Sequence, residues 1–174
     1  MIADIIGLVL KNFPFTALIL GIVAALVSIA IRKPSSGREV ADRLVAGYLF
    51  FAIGLGYAYN FVVHSFFAES TAKFIGWANS PFQYEVAYAS LGFAIAGFYS
   101  YRKSFQARMV AILGPSFFLW GAAAGHIYFI ITTENTAPGN AGSVLYSDIF
   151  LPIIGFVFLF FSRERDQKPG KAQP

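Results

Sequence analysis

Four side chains in this sequence could do chemistry together: His64, Glu85, His126 and Asp148, two imidazoles and two carboxylates, each set in an apolar stretch. Two nitrogen and two oxygen donors form a ligand set that Zn, Mn or non-haem Fe accepts. An imidazole beside a carboxylate is also a pair that exchanges protons near neutral pH. Burying such groups in apolar helices costs several kcal/mol unless they are paired, so they mark function by default. The chain has no Cys, which excludes disulfides, thiolate metal sites and thiol catalysis.

Each of the four stands alone on its stretch, with no HxxxH or ExxH pair on one helix. Whatever they do together therefore depends on helices meeting. Residues three, four and seven apart share a helical face. On that basis Tyr57, Asn60 and His64 form one stripe, and Glu85 is followed by Ala89, Gly92 and Ala96. His126 is preceded by Leu119, Ala122 and Ala123, and Asp148 is followed by Pro152 and Gly155. Small residues beside a polar one permit close helix packing in lipid, so these faces are expected to point inward and to converge on one pocket. Asn60, Tyr57 and Tyr146 are the expected supporting groups.

The elements that must position these residues are membrane helices. Of the 174 residues, 57% are apolar, 18% aromatic and only 13% charged, and mean hydropathy is +0.62. That composition lies outside the range of soluble domains. Apolar segments of about 17 to 25 residues suffice to span a bilayer. Five are expected: Phe13 to Ile31, Leu44 to Phe67, Pro81 to Tyr101, Met109 to Thr132 and Tyr146 to Phe161. The fold class is thus an all-α integral membrane bundle. Residues 1–162 form one domain and 163–174 form a polar tail of disordered composition. Residues 1–12 read as an interfacial lead-in or a kinked extension, because Asn12-Phe13-Pro14 disfavours a continuous helix.

Lys and Arg orient such a bundle. Eleven of the thirteen (Arg32, Lys33, Arg38, Arg43, Arg102, Lys103, Arg108, Arg163, Arg165, Lys168 and Lys171) fall on one side, and Lys11 and Lys73 on the other. This places the N-terminus outside and the C-terminus in the cytoplasm of a cell membrane, with all four chemical residues in the outer half and no embedded charge in the inner half. The net charge of +4 is explained by this topology and by lipid head groups, so no nucleic-acid partner is expected. Oligomeric state is not readable.

Local signals refine the outer ends. Ser80 reads as an N-cap, Pro81 as the first helical residue and Gln83 as the return arm of a capping box. Glu85 then lies roughly 6–8 Å beyond the helix start. The loops KFIGWANSPFQ and TTENTAPGNAGSVLYSD combine Gly, Pro, Asn and Trp, which suits tight turns that could cover the pocket. Trp77 and Trp120 read as interfacial belt residues, and Gly54-Leu55-Gly56 as a close-packing point rather than a nucleotide loop.

The blocks GWANSPFQYEVAYASLG, WGAAAGHIYFI and APGNAGSVLYSDI resemble those of a family of small prokaryotic multi-pass membrane proteins known only as a domain of unknown function. The likeness runs from the second span to the fifth and includes His64, Glu85, His126, Asp148, Ser80 to Gln83 and Pro138 to Gly142. Ala87 and Ser90 depart from it, standing where Gly and Asn are expected. The resemblance implies a fold and an outward polar cluster, and no activity. Four functions fit the cluster: structural pairing between helices, a Zn, Mn or non-haem Fe site for hydrolysis or oxidation, haem b held by His64 and His126, or proton-coupled transport with a small-molecule or ion ligand.

Overall fold

The structure is a computed structural model that describes residues 1–163. The sequence-assigned tail therefore lies outside the described residues from Glu164 onward. All regular elements among the described residues are helical. α1 (Ile2–Lys11) leads into α2 (Phe13–Arg32). α3 (Gly37–Gly47) continues through a π-helical segment (Tyr48–Leu55) into α4 (Gly56–Phe66). α5 (Ala68–Ile75), α6 (Phe82–Ser100), α7 (Phe105–Thr133), α8 (Pro138–Ala141) and α9 (Ser143–Ser162) follow.

Among the described residues four helical stretches are long and apolar enough to cross a membrane: Phe13–Arg32, Gly37–Phe66, Phe105–Thr133 and Pro138–Ser162. α6 has a similar length of 19 residues but carries Gln83, Tyr84, Glu85, Tyr88 and Tyr99, and it falls outside that set of four. It still runs antiparallel along α4, since Asn60 meets Ser90 and His64 meets Gln83. Among the described residues α6 is thus a fifth long helix of the bundle. At one end sit Lys11 and Lys73; at the other lie the remaining eight Lys and Arg side chains of the described residues.

Several helices begin or end away from the expected positions, for local reasons. α3 starts at Gly37 rather than near Leu44 because the Ser36 side chain caps it, accepting from Glu39 N–H at 3.2 Å. Its first two turns carry Arg38, Glu39, Asp42 and Arg43, so the apolar stretch itself begins only near Leu44. α5 was not expected, its eight residues being too few and too polar for a span. α1 is a separate helix broken at Asn12, whose Nδ2 donates to the Leu8 carbonyl at 2.7 Å. Tyr59 ties it down through a hydroxyl bond to Leu10 O at 3.0 Å and a stack on Phe13.

Backbones approach closely where side chains vanish, as packing in lipid requires. A Cβ on Gly47 would lie 2.2 Å from Gly21 O, which fixes the crossing of α2 and α3. A Cβ on Gly97 would lie 2.7 Å from Leu49 O, which seats α6 on the π-helical segment. Gly54 packs under the Phe98 ring, as a close-packing glycine should. Tyr48, 1% exposed, crosses from the π segment to α9 and donates to Leu151 O at 2.9 Å. Such π turns widen a helix and often sit at functional positions. Here the widened segment is the hub of the apolar core with Leu49, Ile53 and Ile112.

Candidate functional site

The four residues singled out by type do not converge. The structure sorts them into two interfaces and one exposed face. His64 belongs to the α4–α6 interface. There its Nδ1 is hydrogen-bonded to Gln83 Oε1, while Gln83 Nε2 donates to Ala68 O at 3.2 Å. Gln83 is therefore occupied with α4 and α5, and the expected capping box is absent: α6 has no side-chain cap. Asn60 is not beside a ligand either, since its Nδ2 donates to Ser90 Oγ at 2.9 Å and that hydroxyl donates onward to Val86 O. Tyr57 turns toward α7 and donates to Pro115 O at 3.0 Å.

Glu85 is exposed and makes no hydrogen bond or ion pair among the described residues. Its companions Ala89 and Gly92 are exposed too, whereas Ala87, Ser90, Ala94 and Gly97 form the buried stripe of α6. The inward face expected for this helix was thus the wrong one. Both faces carry small residues, and contacts such as Gly97 on the π segment and Asn60 on Ser90 choose between them. Tyr146, expected to support the cluster, is 54% exposed.

His126 and Asp148 do meet, between α7 and α9. Both are 4% exposed, and His126 Nε2 lies 3.5 Å from Asp148 Oδ2. The buried faces around them are those expected, with Ala123 before His126 and Pro152 and Gly155 after Asp148. The residue that organises the pair is Asn140, which is fully buried in the one-turn helix α8. Its Oδ1 accepts from Trp77 Nε1 at 3.2 Å and lies 2.8 Å from His126 Nδ1. Its Nδ2 donates to His126 O at 3.2 Å and to Asn135 O at 2.9 Å. Reversing the amide would face its oxygen with two carbonyl oxygens, so this network assigns the proton of His126 to Nδ1. A neutral His126 then presents a bare lone pair at Nε2 to the Asp148 carboxyl.

The loops close over this pair. Asn135 Nδ2 donates to Ile75 O at 3.0 Å and Gly76 O at 3.2 Å, pinning the turn after α7 to the end of α5. Gly76 has φ +76, and a Cβ there would lie 2.6 Å from Asn135 Oδ1, so this turn demands glycine. Trp77 lies over the His126 ring at 5.1 Å between centroids and also against Phe129. It is part of the site, contrary to its reading as a belt residue. Trp120 instead stacks on Phe156 along the outer side of α9. The sequence signal that could have revealed Asn140 was its place in the APGNAG turn, between a histidine span and an aspartate span.

The opposite end departs from expectation as well. Arg108 and Asp42 form an ion pair at 2.8 Å between α7 and α3, with the Arg108 side chain only 13% exposed. A partly buried ion pair therefore also lies at the Arg-rich end.

No group of three or more His, Asp or Glu side chains gathers as a metal-holding set among the described residues. The His126–Asp148 pair offers one nitrogen and one carboxylate, where catalytic zinc takes three protein ligands. For haem, both nitrogens of His126 already face protein groups, and His64 is engaged at another interface.

Antiparallel apolar helices wrapped around a buried imidazole–carboxyl pair define an integral membrane helical bundle. Within that class, the chain belongs to the family described as a family of unknown function (DUF6790), whose match spans residues 11–168. No curated protein and no solved structure matches the chain.

Proposed function

We propose that this protein is a five-span membrane protein, N-terminus outside, whose working centre is a proton exchanged between His126 and Asp148 beneath the cap formed by Trp77, Asn135 and Asn140. The observation that carries this reading is the contrast in how the two nitrogens of His126 are held. Nδ1 is fixed by a saturated amide at 2.8 Å, while Nε2 faces a carboxyl at 3.5 Å with no closer partner among the described residues. At 3.5 Å the pair stands just beyond ordinary hydrogen-bonding distance, so the proton crosses when the gap closes or through one bridging water. One proton resides on either Asp148 Oδ2 or His126 Nε2, and moving it changes the pair between neutral and ionic forms. Such a change inside lipid alters what the site can bind or carry. The positive-inside distribution supports the orientation, and the length of α6 supports its being the fifth span.

Asp148→Asn tests this reading. The amide keeps a donor toward Nε2 and nearly the same shape, and has no exchangeable acidic proton. The expected result is a stable protein in which the carboxylic C=O infrared band that titrates in the wild type is gone, and in which any proton flux into proteoliposomes is lost. A wild type with no titrating buried carboxyl band would overturn the proposal. It would leave the pair as a helix-pinning contact, a role favoured by the saturation of Asn140.

A further inference from the structure

At the Arg-rich end a cavity of about 560 Å³ opens between α2, α3, the π-helical segment and the turn joining α6 to α7. Its rim carries Arg43, Arg102 and Arg108 with Glu39 and Asp42. Its deeper wall is apolar, made by Ala24, Ala25, Gly47, Phe50 and Phe51. From Glu39 to Gly47 the wall descends about 12 Å along α3. The cavity is therefore charged at its mouth and oily one to two turns deeper, the polarity profile of a lipid at the membrane surface.

The two carboxylates are already committed. Glu39 accepts from Ser35 N–H and Oγ, both at 3.1 Å, and Asp42 accepts from Arg108 Nη1 at 2.8 Å. Arg108, which lines the cavity, is itself under-satisfied: among the described residues its buried Nε–H has no acceptor. Arg43 makes no hydrogen bond among the described residues, and Arg102 rests on the Tyr101 ring at 5.1 Å. Three guanidiniums less two carboxylates leave one positive charge at the rim, the complement of the single negative charge of a lipid phosphodiester.

We infer that this cavity is a binding site for an anionic phospholipid, whose phosphate oxygens accept from the guanidiniums of Arg43, Arg102 and Arg108 and whose chain lies against Phe50 and Phe51. Guanidinium is suited to phosphate by its planar fork of donors. The site lies at the opposite end of the bundle from His126 and does not depend on the proton-exchange reading.

The test is native mass spectrometry of the full chain in detergent, titrated with phosphatidylglycerol, with phosphatidylcholine and with inorganic phosphate alone. Wild type should hold one phosphatidylglycerol. Arg43→Gln with Arg102→Gln should weaken it about 30-fold, since each basic group near a membrane surface contributes roughly a factor of five. Both residues are exposed, so this variant should fold. A second variant, Arg108→Gln with Asp42→Asn, removes the ion pair without stranding a charge and should weaken the lipid as well. The inference is overturned if phosphatidylglycerol binds the first variant as tightly as wild type, or if phosphatidylcholine binds equally well. It is also overturned if inorganic phosphate displaces the lipid at comparable concentration, which would mark a soluble phosphate as the ligand.

Discussion

The α4–α6 and α7–α9 interfaces use the same ingredients, a histidine and a side-chain amide, and do different things with them. In the first, His64 and Gln83 are half-buried and their chain of bonds runs out to the Ala68 carbonyl. In the second, Asn140 is 0% exposed and saturated by four partners, and His126 is left with one nitrogen against a carboxyl. A half-buried histidine can exchange its partner for water, so its bonds mainly set helix register. A histidine buried beneath Trp77 is held more firmly, with Nδ1 on the Asn140 amide and Nε2 toward the Asp148 carboxyl.

The largest break in this comparison should come from Asn140→Ala. It strips the acceptor from Trp77 Nε1 and His126 Nδ1 in a buried place, and should cost about 3 kcal/mol in thermal unfolding followed by tryptophan fluorescence. If the cost is below about 1 kcal/mol, water reaches the site and the contrast between the interfaces fails. Asp148→Leu should come next, at about 2 kcal/mol, while Asp148→Asn should stay within about 1 kcal/mol of wild type because a donor still faces Nε2. Equal losses in both would mean that shape, not a polar group facing Nε2, is what Asp148 supplies.

At the other interface Gln83→Ala should cost only about 1 kcal/mol, since solvent can replace a half-buried partner. Combined with Asn140→Ala, the two losses should add within about 0.5 kcal/mol if the interfaces are independent. The smallest effect belongs to Glu85→Gln, within about 0.5 kcal/mol, measured by the same unfolding transition. A larger loss would place Glu85 against a partner that a single chain does not contain.

Much of the fold was legible because its causes are local. The ends of α2, α6 and α7 fell within a few residues of those expected, since apolar length and flanking charge define a span wherever it packs. Asp148 with Pro152 and Gly155 was read correctly as a buried face, because α9 offers no rival face of small residues. Glu85 was misread because α6 offers two. Gln83 looked like a capping residue because its spacing from Ser80 fits that role; a histidine 19 positions earlier in the chain competes for the same amide and wins. Asn140 was invisible as a site residue, since an asparagine in a Pro-Gly turn is ordinarily there for the turn itself.

The sequence by itself determined the solvent this protein folds in, the apolar stretches long enough to cross it and the crowding of positive charge at one end. Those follow from summed hydropathy and from Lys and Arg positions, which do not depend on how the helices are rotated. Only the tertiary structure decided which polar groups meet. A helix turns about 100° per residue, so the meeting of His126 with Asp148, and the failure of Glu85 to join them, rest on rotations fixed by remote backbone contacts such as Gly47 on Gly21 and Gly97 on Leu49. In lipid, where apolar side chains gain little by leaving their surroundings, such close contacts and buried hydrogen bonds set those rotations.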